Sequence, residues 1–263
     1  MPIDRIGAVD LAWERTGTGP RLVVCNGSGT TLDEARILLA VLGEGFDVLA
    51  FDYRGLGGSP PSPGPYAMAD LAGDVLGLMD HVGWDQARLC GISFGGMVAQ
   101  EVAVTAPERV ERLALLCTSS GGAGGSSYPL HELEDLDPDA RAAVRRTLID
   151  ARFDESWLAS HPGDAALVDL VVRPDDGDPA ALAGRRAQMA VRRHHDTWDR
   201  LDRITCPTLV AVGAHDPVAP PANGAALAGR IPGAELRHYD GGHLFVFQDP
   251  TAGPDVRAFL AAG

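Results

Sequence analysis

Short apolar runs along this chain alternate with segments whose apolar residues recur at the spacing of a helix. The predicted strands span residues 21–27, 46–54, 87–93, 110–120, 207–216 and 234–241. Several of these runs are apolar almost throughout, which is typical of strands buried on both faces of a parallel sheet. The predicted helices span residues 32–43, 68–83, 95–110 and 222–233, with a closing helix whose start is marked by Asp249 and Pro250. The alternation predicts an α/β fold with a mostly parallel central sheet flanked by helices.

The alternation of strands and helices stops between residues 121 and 203. A glycine-rich segment at 121–129 leads into a helical stretch that is rich in arginine and aspartate, and the alternation resumes at residue 204. We therefore predict a core formed by residues 1–120 and 204–263. Residues 121–203 are predicted to form a helical cap inserted at the carboxyl edge of the sheet.

Composition and charge narrow the class of protein. With 263 residues and 45% hydrophobic content, the chain has enough apolar material for a large core. Its net charge of −14 argues against nucleic acid or an anionic membrane surface as a partner. No apolar run approaches the roughly 18 residues of a membrane-spanning helix, and the N-terminal segment lacks the apolar region of a signal peptide. We expect a cytoplasmic protein that acts on a small molecule; the sequence leaves a homodimer open.

The cysteines give no sign of a metal site. Each lies within or beside an apolar run, and none of the intervals has metal-ligand spacing: Cys25, Cys90, Cys117 and Cys206. We interpret them as reduced thiols of the core rather than as a disulfide pair. No dinucleotide fingerprint follows the first predicted strand–helix turn. We therefore expect neither a cofactor nor a metal.

Candidate chemistry centres on Ser93, in the run Gly91-Ile92-Ser93-Phe94-Gly95. By chance alone, this five-residue pattern would occur in about one chain of six or seven with this composition. Its context is more specific, because a predicted strand precedes it and a predicted helix follows it. That arrangement holds a nucleophilic serine on a sharp, strained turn whose small neighbours let strand and helix cross closely. The alternative is a plain glycine-rich loop.

A serine nucleophile needs a base, and the base needs an acid to orient it. Asp216 follows one predicted strand, and His243 follows the last one on a glycine hinge. Asp216 has the alternative role of a turn-forming residue, since aspartate before proline is common in loops. Of the other histidines, His215 adjoins the acid and His238 lies inside a strand. The order Ser93, Asp216, His243 along the chain predicts a catalytic set.

Five segments carry a resemblance to a known family: "CNGSGT", "FDYRGLGGS", "GISFGG", "GAHDPVAP" and "DGGHLFVFQDP". The chain resembles the α/β-hydrolases, in particular the group of 3-oxoadipate enol-lactonases, cofactor-free haloperoxidases and esterases. The resemblance covers residues 1–120 and 204–263, and the cap only in its position. It implies that the backbone amides of Ser28 and Phe94 form an oxyanion hole. Asn26 stands where many relatives have histidine, a variant that also occurs in enol-lactonase-like members.

The predicted function is hydrolysis of a carboxylic ester or lactone through an acyl-enzyme. Two alternatives stay open: perhydrolysis with the same three residues, and a non-enzymatic receptor for a small molecule. Bromination that requires both acetate and peroxide would identify the first, and an absence of ester turnover would favour the second. The cap arginines pair either with a substrate carboxylate or with the many acids of this chain: Arg185, Arg186, Arg192 and Arg193. Arg54 is expected to pair locally.

Overall fold

A computed structural model describes residues 1–172 and 178–263; residues 173–177, inside the predicted cap, lie outside the described residues. The described residues form one sheet of eight strands in the order β1-β2-β4-β3-β5-β6-β7-β8. The strands are β1 Ile3–Ile6, β2 Val9–Gly17, β3 Arg21–Cys25, β4 Asp47–Phe51, β5 Ala87–Ile92, β6 Val110–Leu116, β7 Thr208–Gly213 and β8 Glu235–Tyr239. The helices are α1 Leu32–Gly43, α2 Met68–His81, α3 Phe94–Thr105, α4 Pro138–Thr147, α5 Glu155–Ser160, α6 Pro162–Val171, α7 Pro179–Arg193, α8 Pro221–Arg230, α9 Phe245–Gln248 and α10 Ala252–Ala261.

Strands β3 to β8 run parallel to one another, whereas the N-terminal strand β2 pairs in antiparallel fashion with both β1 and β4. Because side chains alternate along a strand, each parallel strand contributes to two cores. Along β3, Leu22 and Val24 belong to one buried cluster, whereas Val23 and Cys25 belong to the cluster on the opposite face. The prediction of a mostly parallel sheet covered on both faces is confirmed.

Helix α1 illustrates how local sequence sets an element. The Thr31 hydroxyl accepts from the N–H of Glu34, and the Glu34 carboxylate accepts from the N–H of Thr31 at 2.8 Å. This capping box satisfies two of the donors that a helix N-terminus leaves unpaired. Helix α1 therefore begins and ends where the spacing of its apolar residues predicted.

The N-terminal hairpin is absent from the prediction. Strands β1 and β2 cover residues 3–17, where charged and apolar residues alternate. That alternation has the period of a half-exposed strand, and it is the signal that identifies these strands. The closing helix also begins at Ala252 rather than at Asp249. Asp249 instead stabilises the turn just before this helix, since its carboxylate accepts from the N–H and the hydroxyl of Thr251.

Residues 117–207 contain helices and loops but no strand among those that the structure describes. Helices α4 to α7 lie in this stretch, and residues of it form a small apolar cluster of their own around Phe153 and Leu167. An ion pair between Arg200 and the buried carboxylate of Glu101 in α3 ties the end of the stretch to the core. The division into cap and core stays a prediction.

Two further expectations were that the cysteines are reduced core residues and that the chain has no membrane-spanning helix. All four cysteines are free and buried, as expected for core residues. Among the residues that the structure describes, no helix combines the length and the apolar character needed to span a bilayer.

Candidate active site

Ser93 occupies the sharp turn between strand β5 and helix α3. Its backbone lies in the left-handed region, with φ 53° and ψ −115°, a conformation that costs a residue with a side chain about 1–3 kcal/mol. The N–H of Ser93 donates to the carbonyl of Leu116 at 2.9 Å, and the Thr118 hydroxyl donates to the carbonyl of Ser93 at 2.7 Å. The neighbouring strand β6 and the residues just after it therefore hold this turn in place.

The glycines on either side of Ser93 allow strand and helix to approach closely. A Cβ at Gly95 would overlap the carbonyl oxygen of Cys25 at the end of β3. A Cβ at Gly91 would overlap the carbonyl oxygen of Gly95. Both overlaps involve backbone atoms, which cannot move aside, so glycine is required at both positions.

Asp216 and His243 follow the neighbouring strands β7 and β8 and meet Ser93 at the carboxyl edge of the sheet. His243 Nε2 lies 3.0 Å from Ser93 Oγ, and His243 Nδ1 lies 2.8 Å from Asp216 Oδ2. Because an ionised carboxylate only accepts hydrogen bonds, Nδ1 donates to Asp216, and Nε2 is left to accept from the Ser93 hydroxyl. The structure thus brings together the three residues that the sequence singled out.

The carboxylate of Asp216 is buried, with an exposed fraction of 3%. Its Oδ1 accepts from the N–H of Val218 at 2.8 Å and from the N–H of Ala219 at 2.9 Å. The turn-forming role that the sequence left open for Asp216 is therefore present together with its contact to His243. Because two amides fix the orientation of the carboxylate, the imidazole ring that bonds to its other oxygen is also fixed.

The stretch between β6 and β7 also holds His243, a contact that the sequence did not reveal. The N–H of His243 donates to the carbonyl of Ile149 at 2.6 Å. The side chain of Gln248 accepts from the N–H of Gly242 at 2.9 Å and donates to the Asp150 carboxylate at 3.0 Å. Residues about 95 positions apart in the chain thus support one loop. No local pattern marks Ile149 for this role, because a backbone carbonyl supplies the contact.

The amides of Ser28 and Phe94 belong to two segments that pack together beside Ser93. Within the part of the chain that the structure describes, neither N–H donates a hydrogen bond to another residue. Phe94 is the first residue of α3, so its N–H is one of the donors that a helix N-terminus leaves without an internal partner. The adjacent N–H of Gly29 donates to the side chain of Gln188 in α7 at 2.7 Å. Gln188 therefore positions the loop that carries Ser28.

Asn26, at the start of the same loop, is a buried amide without a side-chain partner. Neither its Oδ1 nor its Nδ2 hydrogen-bonds to any residue that the structure describes. Its backbone carbonyl accepts from the hydroxyl of Tyr53 at 3.2 Å. An unsatisfied buried amide costs about 1–3 kcal/mol of stability, so the fold alone gives no reason for asparagine at this position.

Cys117 adds a thiol beside Asp216 and His243. One donor atom from each of these three residues lies within 4.8 Å of the other two, a spacing that a metal ion could bridge. Burial raises the pKa of the Cys117 thiol well above its usual value, and the charge of Asp216 adds to the effect. A protonated thiol is a poor metal ligand, and the facing atoms of Asp216 and His243 already bond to each other. The donor set therefore suits proton transfer better than metal binding.

Comparison with known proteins shows the family of this chain. A family model described as the alpha/beta hydrolase fold matches residues 20–148. A solved structure of a hydrolase from Pseudomonas aeruginosa is 32% identical, with a TM-score of 0.78 over 97% of this chain and 95% of that chain. This chain belongs to the α/β-hydrolase family. The resemblance drawn from its sequence segments is therefore confirmed.

Two enol-lactonases are among the α/β-hydrolases similar to this one. The 3-oxoadipate enol-lactonase 2 of Acinetobacter baylyi is 28% identical over 264 residues, which span 96% of this chain and 95% of the relative. The crystal structure of the enol-lactonase from Burkholderia xenovorans matches with a TM-score of 0.80 at 28% identity, covering 99% of this chain and all of that chain. Both of these proteins are hydrolases, as is the structure from Pseudomonas aeruginosa, which confirms the expectation that this chain is a hydrolase.

The arginines of this α/β-hydrolase differ in their surroundings. Arg54 forms an ion pair with the buried Asp74, at 2.6 Å between Nε and Oδ2, as expected of a local partner. In α7, Arg186 and Arg193 are exposed, whereas Arg192 is buried. The sequence alone does not distinguish Arg192 from the neighbouring arginines.

Proposed function

We propose that this α/β-hydrolase cleaves a carboxylic ester or lactone of a small molecule through an acyl-enzyme on Ser93. The observation that carries the proposal is the unbroken path of hydrogen bonds from Ser93 to His243 and on to Asp216, with steps of 3.0 and 2.8 Å. A serine hydroxyl is a weak nucleophile at neutral pH unless an adjacent base removes its proton. The enol-lactonases among the relatives support lactones as one substrate class.

In the first half of the reaction, Ser93 Oγ attacks the carbonyl carbon while His243 Nε2 takes the hydroxyl proton. The ionised carboxylate of Asp216 stabilises the imidazolium that forms and keeps its Nδ1 proton in place. The N–H groups of Ser28 and Phe94 bind the negative charge that develops on the carbonyl oxygen. Each such donor contributes roughly 3–4 kcal/mol to stabilising the transition state.

The tetrahedral intermediate then collapses, and His243 returns its proton to the leaving alcohol oxygen. In a lactone, that alcohol stays attached to the acyl group. Water next occupies the position of the alcohol, gives a proton to His243 and attacks the acyl carbonyl. The ester bond to Ser93 breaks, and Ser93 Oγ recovers the proton from His243, which restores the free enzyme.

The test replaces Ser93 by alanine and measures hydrolysis of 4-nitrophenyl acetate together with labelling by a fluorophosphonate probe. We expect turnover to fall by at least a thousandfold and labelling to vanish, because both need the Ser93 oxygen. Ser156→Ala serves as the matched control, since Ser156 is an exposed serine on α5. Full activity or full labelling in Ser93→Ala would refute the proposed nucleophile.

A further inference from the structure

A cavity of about 240 Å³ adjoins the elements that hold Ser93. Its wall includes Met97 in α3, whose N–H donates to the carbonyl of Ser93 at 3.4 Å. It also includes Ser119, which directly follows the threonine whose hydroxyl bonds to the same carbonyl. The end of α7 closes the cavity on the other side. The part of the wall formed by Met97 therefore lies about one helical turn along α3 from the proposed nucleophile.

The wall of the cavity is basic and polar. Its charged or titratable members are arginines and histidines, and neither aspartate nor glutamate is among the described residues that line it: Arg192, Arg193, His131 and His195. Hydroxyl groups complete the polar surface at Ser119, Ser126 and Ser127. The chain as a whole has a net charge of −14. The described wall of this cavity, with arginines and no carboxylate, therefore has the opposite sign of charge to the rest of the protein.

Arg192 is the buried cation of this wall, with an exposed fraction of 7%. Its Nη2 donates to the carbonyl of Tyr128 at 2.9 Å, and its Nε makes no hydrogen bond within the described part of the chain. No carboxylate that the structure describes forms an ion pair with it. Burial lowers the pKa of Arg192 to about 10, so the side chain still carries its charge at neutral pH. A buried charge without a counter-charge is costly, and an anion in the cavity would offset that cost.

Helix α7 connects this cation to the loop of the proposed oxyanion hole. Gln188, which accepts from the N–H of Gly29, lies four residues before Arg192. Residues four apart lie on one face of a helix, separated by about 6 Å along its axis. The face of α7 that positions the Ser28 loop thus also presents Arg192 to the cavity.

We propose that this cavity is a subsite for a carboxylate on the substrate, with Arg192 as the residue that binds it. The inference rests on the proposed function and narrows its substrate class to esters or lactones that carry an acid group a short chain away from the reacting carbonyl. An arginine suits this role because its planar group of donors matches a carboxylate. The hydrogen bond to Tyr128 holds the guanidinium through Nη2 and leaves Nη1, which makes no hydrogen bond to any residue that the structure describes, for the ligand.

The kinetic test compares two substrates that differ in one charge, 4-nitrophenyl hydrogen adipate and its methyl ester. We expect the wild-type enzyme to prefer the acid, measured as kcat/KM. In Arg192→Gln, the ratio of kcat/KM for the acid to that for the methyl ester should fall at least tenfold, mainly through KM of the acid. Arg203→Gln is the matched control, because Arg203 is exposed and does not line the cavity, and it should leave the ratio unchanged.

A binding measurement separates this proposal from the proposed function. Calorimetric titration of the Ser93→Ala protein with monomethyl adipate and with dimethyl adipate needs no turnover. We expect tighter binding of the monoanion, and loss of that preference when Arg192→Gln is added. The comparison of the two ligands in Ser93→Ala alone, with Arg192 in place, covers the case in which Arg192→Gln fails to fold.

Three outcomes would overturn the proposal. The first is a wild-type preference for the uncharged compounds in both measurements. The second is an equal fall of kcat/KM for both esters in Arg192→Gln, which would show that Arg192 acts only by holding Tyr128. The third is the same loss of selectivity in Arg203→Gln. Absence of any ester turnover together with charge-selective binding would instead refute the proposed function and leave the subsite standing.

Discussion

Replacing Asp216 by asparagine removes a charge from the site while changing almost no volume. In the wild-type protein, Oδ1 accepts from two backbone N–H groups and Oδ2 accepts from His243. The asparagine oxygen is expected to stay with those two donors, because an NH₂ group facing them would place donors against donors. The NH₂ group then faces His243 Nδ1 and donates to it.

That contact places the imidazole proton on Nε2, which faces Ser93 Oγ. A protonated Nε2 cannot accept the proton of Ser93, so the base is lost although all three residues keep their positions. We expect kcat to fall about 10⁴-fold, equivalent to about 5.5 kcal/mol at 1.36 kcal/mol per tenfold change. KM should change little, because no proposed substrate contact is removed.

The assay is steady-state hydrolysis of 4-nitrophenyl acetate at pH 8, with thermal unfolding as a check on the fold. Asp240→Asn is the matched control: Asp240 follows β8, its side chain is 75% exposed, and its charge contacts Arg152 rather than His243. We expect its kcat within about twofold of wild type. If Asp216→Asn kept kcat within tenfold of wild type, the argument that Asp216 sets the tautomer of His243 would be wrong.

Three further predictions concern stability, each measured by urea unfolding. Gly95→Ala sets a methyl group against a backbone carbonyl of β3 and should lower the free energy of unfolding by about 3 kcal/mol or more. An unchanged urea midpoint would contradict the close approach of α3 to the end of β3. Arg200→Ala leaves the Glu101 carboxylate buried without its partner and should cost about 2–3 kcal/mol, less than a fully buried pair because the Arg200 side chain is 34% exposed. Adding Glu101→Gln to Arg200→Ala should recover part of the lost free energy of unfolding, because it removes the unpaired charge. No recovery would argue against a charge effect. Burial lowers the pKa of His195 to about 4. Between pH 6.5 and 4, the unfolded chain therefore binds a proton that the native protein does not. Because of this difference, the free energy of unfolding falls as the pH falls through this window. His195→Gln should flatten that slope and His194→Gln, at an exposed position, should not; equal slopes would refute the assignment.

The sequence was most informative about those candidate site residues that directly follow a strand. Ser93, Asp216 and His243 each follow an apolar run, and parallel strands bring their carboxyl ends to one edge of the sheet. Their mutual distances follow from this topology once the fold is known. The longer helices of the core, α1, α2, α3, α8 and α10, were predicted because a face buried against a sheet leaves a clear period in the sequence. The four-residue helix α9 was not predicted, since it is too short to show such a period.

Contacts between distant backbone and side-chain atoms were beyond prediction. The carbonyl of Ile149 that holds His243 leaves no trace in the residue type, because every residue has a carbonyl. Gln188 is one of several polar residues in an arginine-rich helix, and only the three-dimensional structure shows that its amide reaches Gly29. Burial separated Arg192 from its neighbours in the same way. The spacing of apolar residues along α7 does not by itself show which face of the helix packs against the core.

The bond between His243 and Ile149 has a consequence for protein engineering. Exchanging the helical stretch for that of a relative is an obvious way to change substrate preference, because this stretch supplies Arg192 and Gln188. The exchange would also replace the carbonyl that anchors the backbone N–H of His243. A chimaera therefore has to retain residues 149 and 150 as part of the recipient scaffold, with the junctions placed after them. Otherwise a graft designed to alter selectivity would displace His243, the proposed base, and we would expect it to lower turnover of every substrate alike.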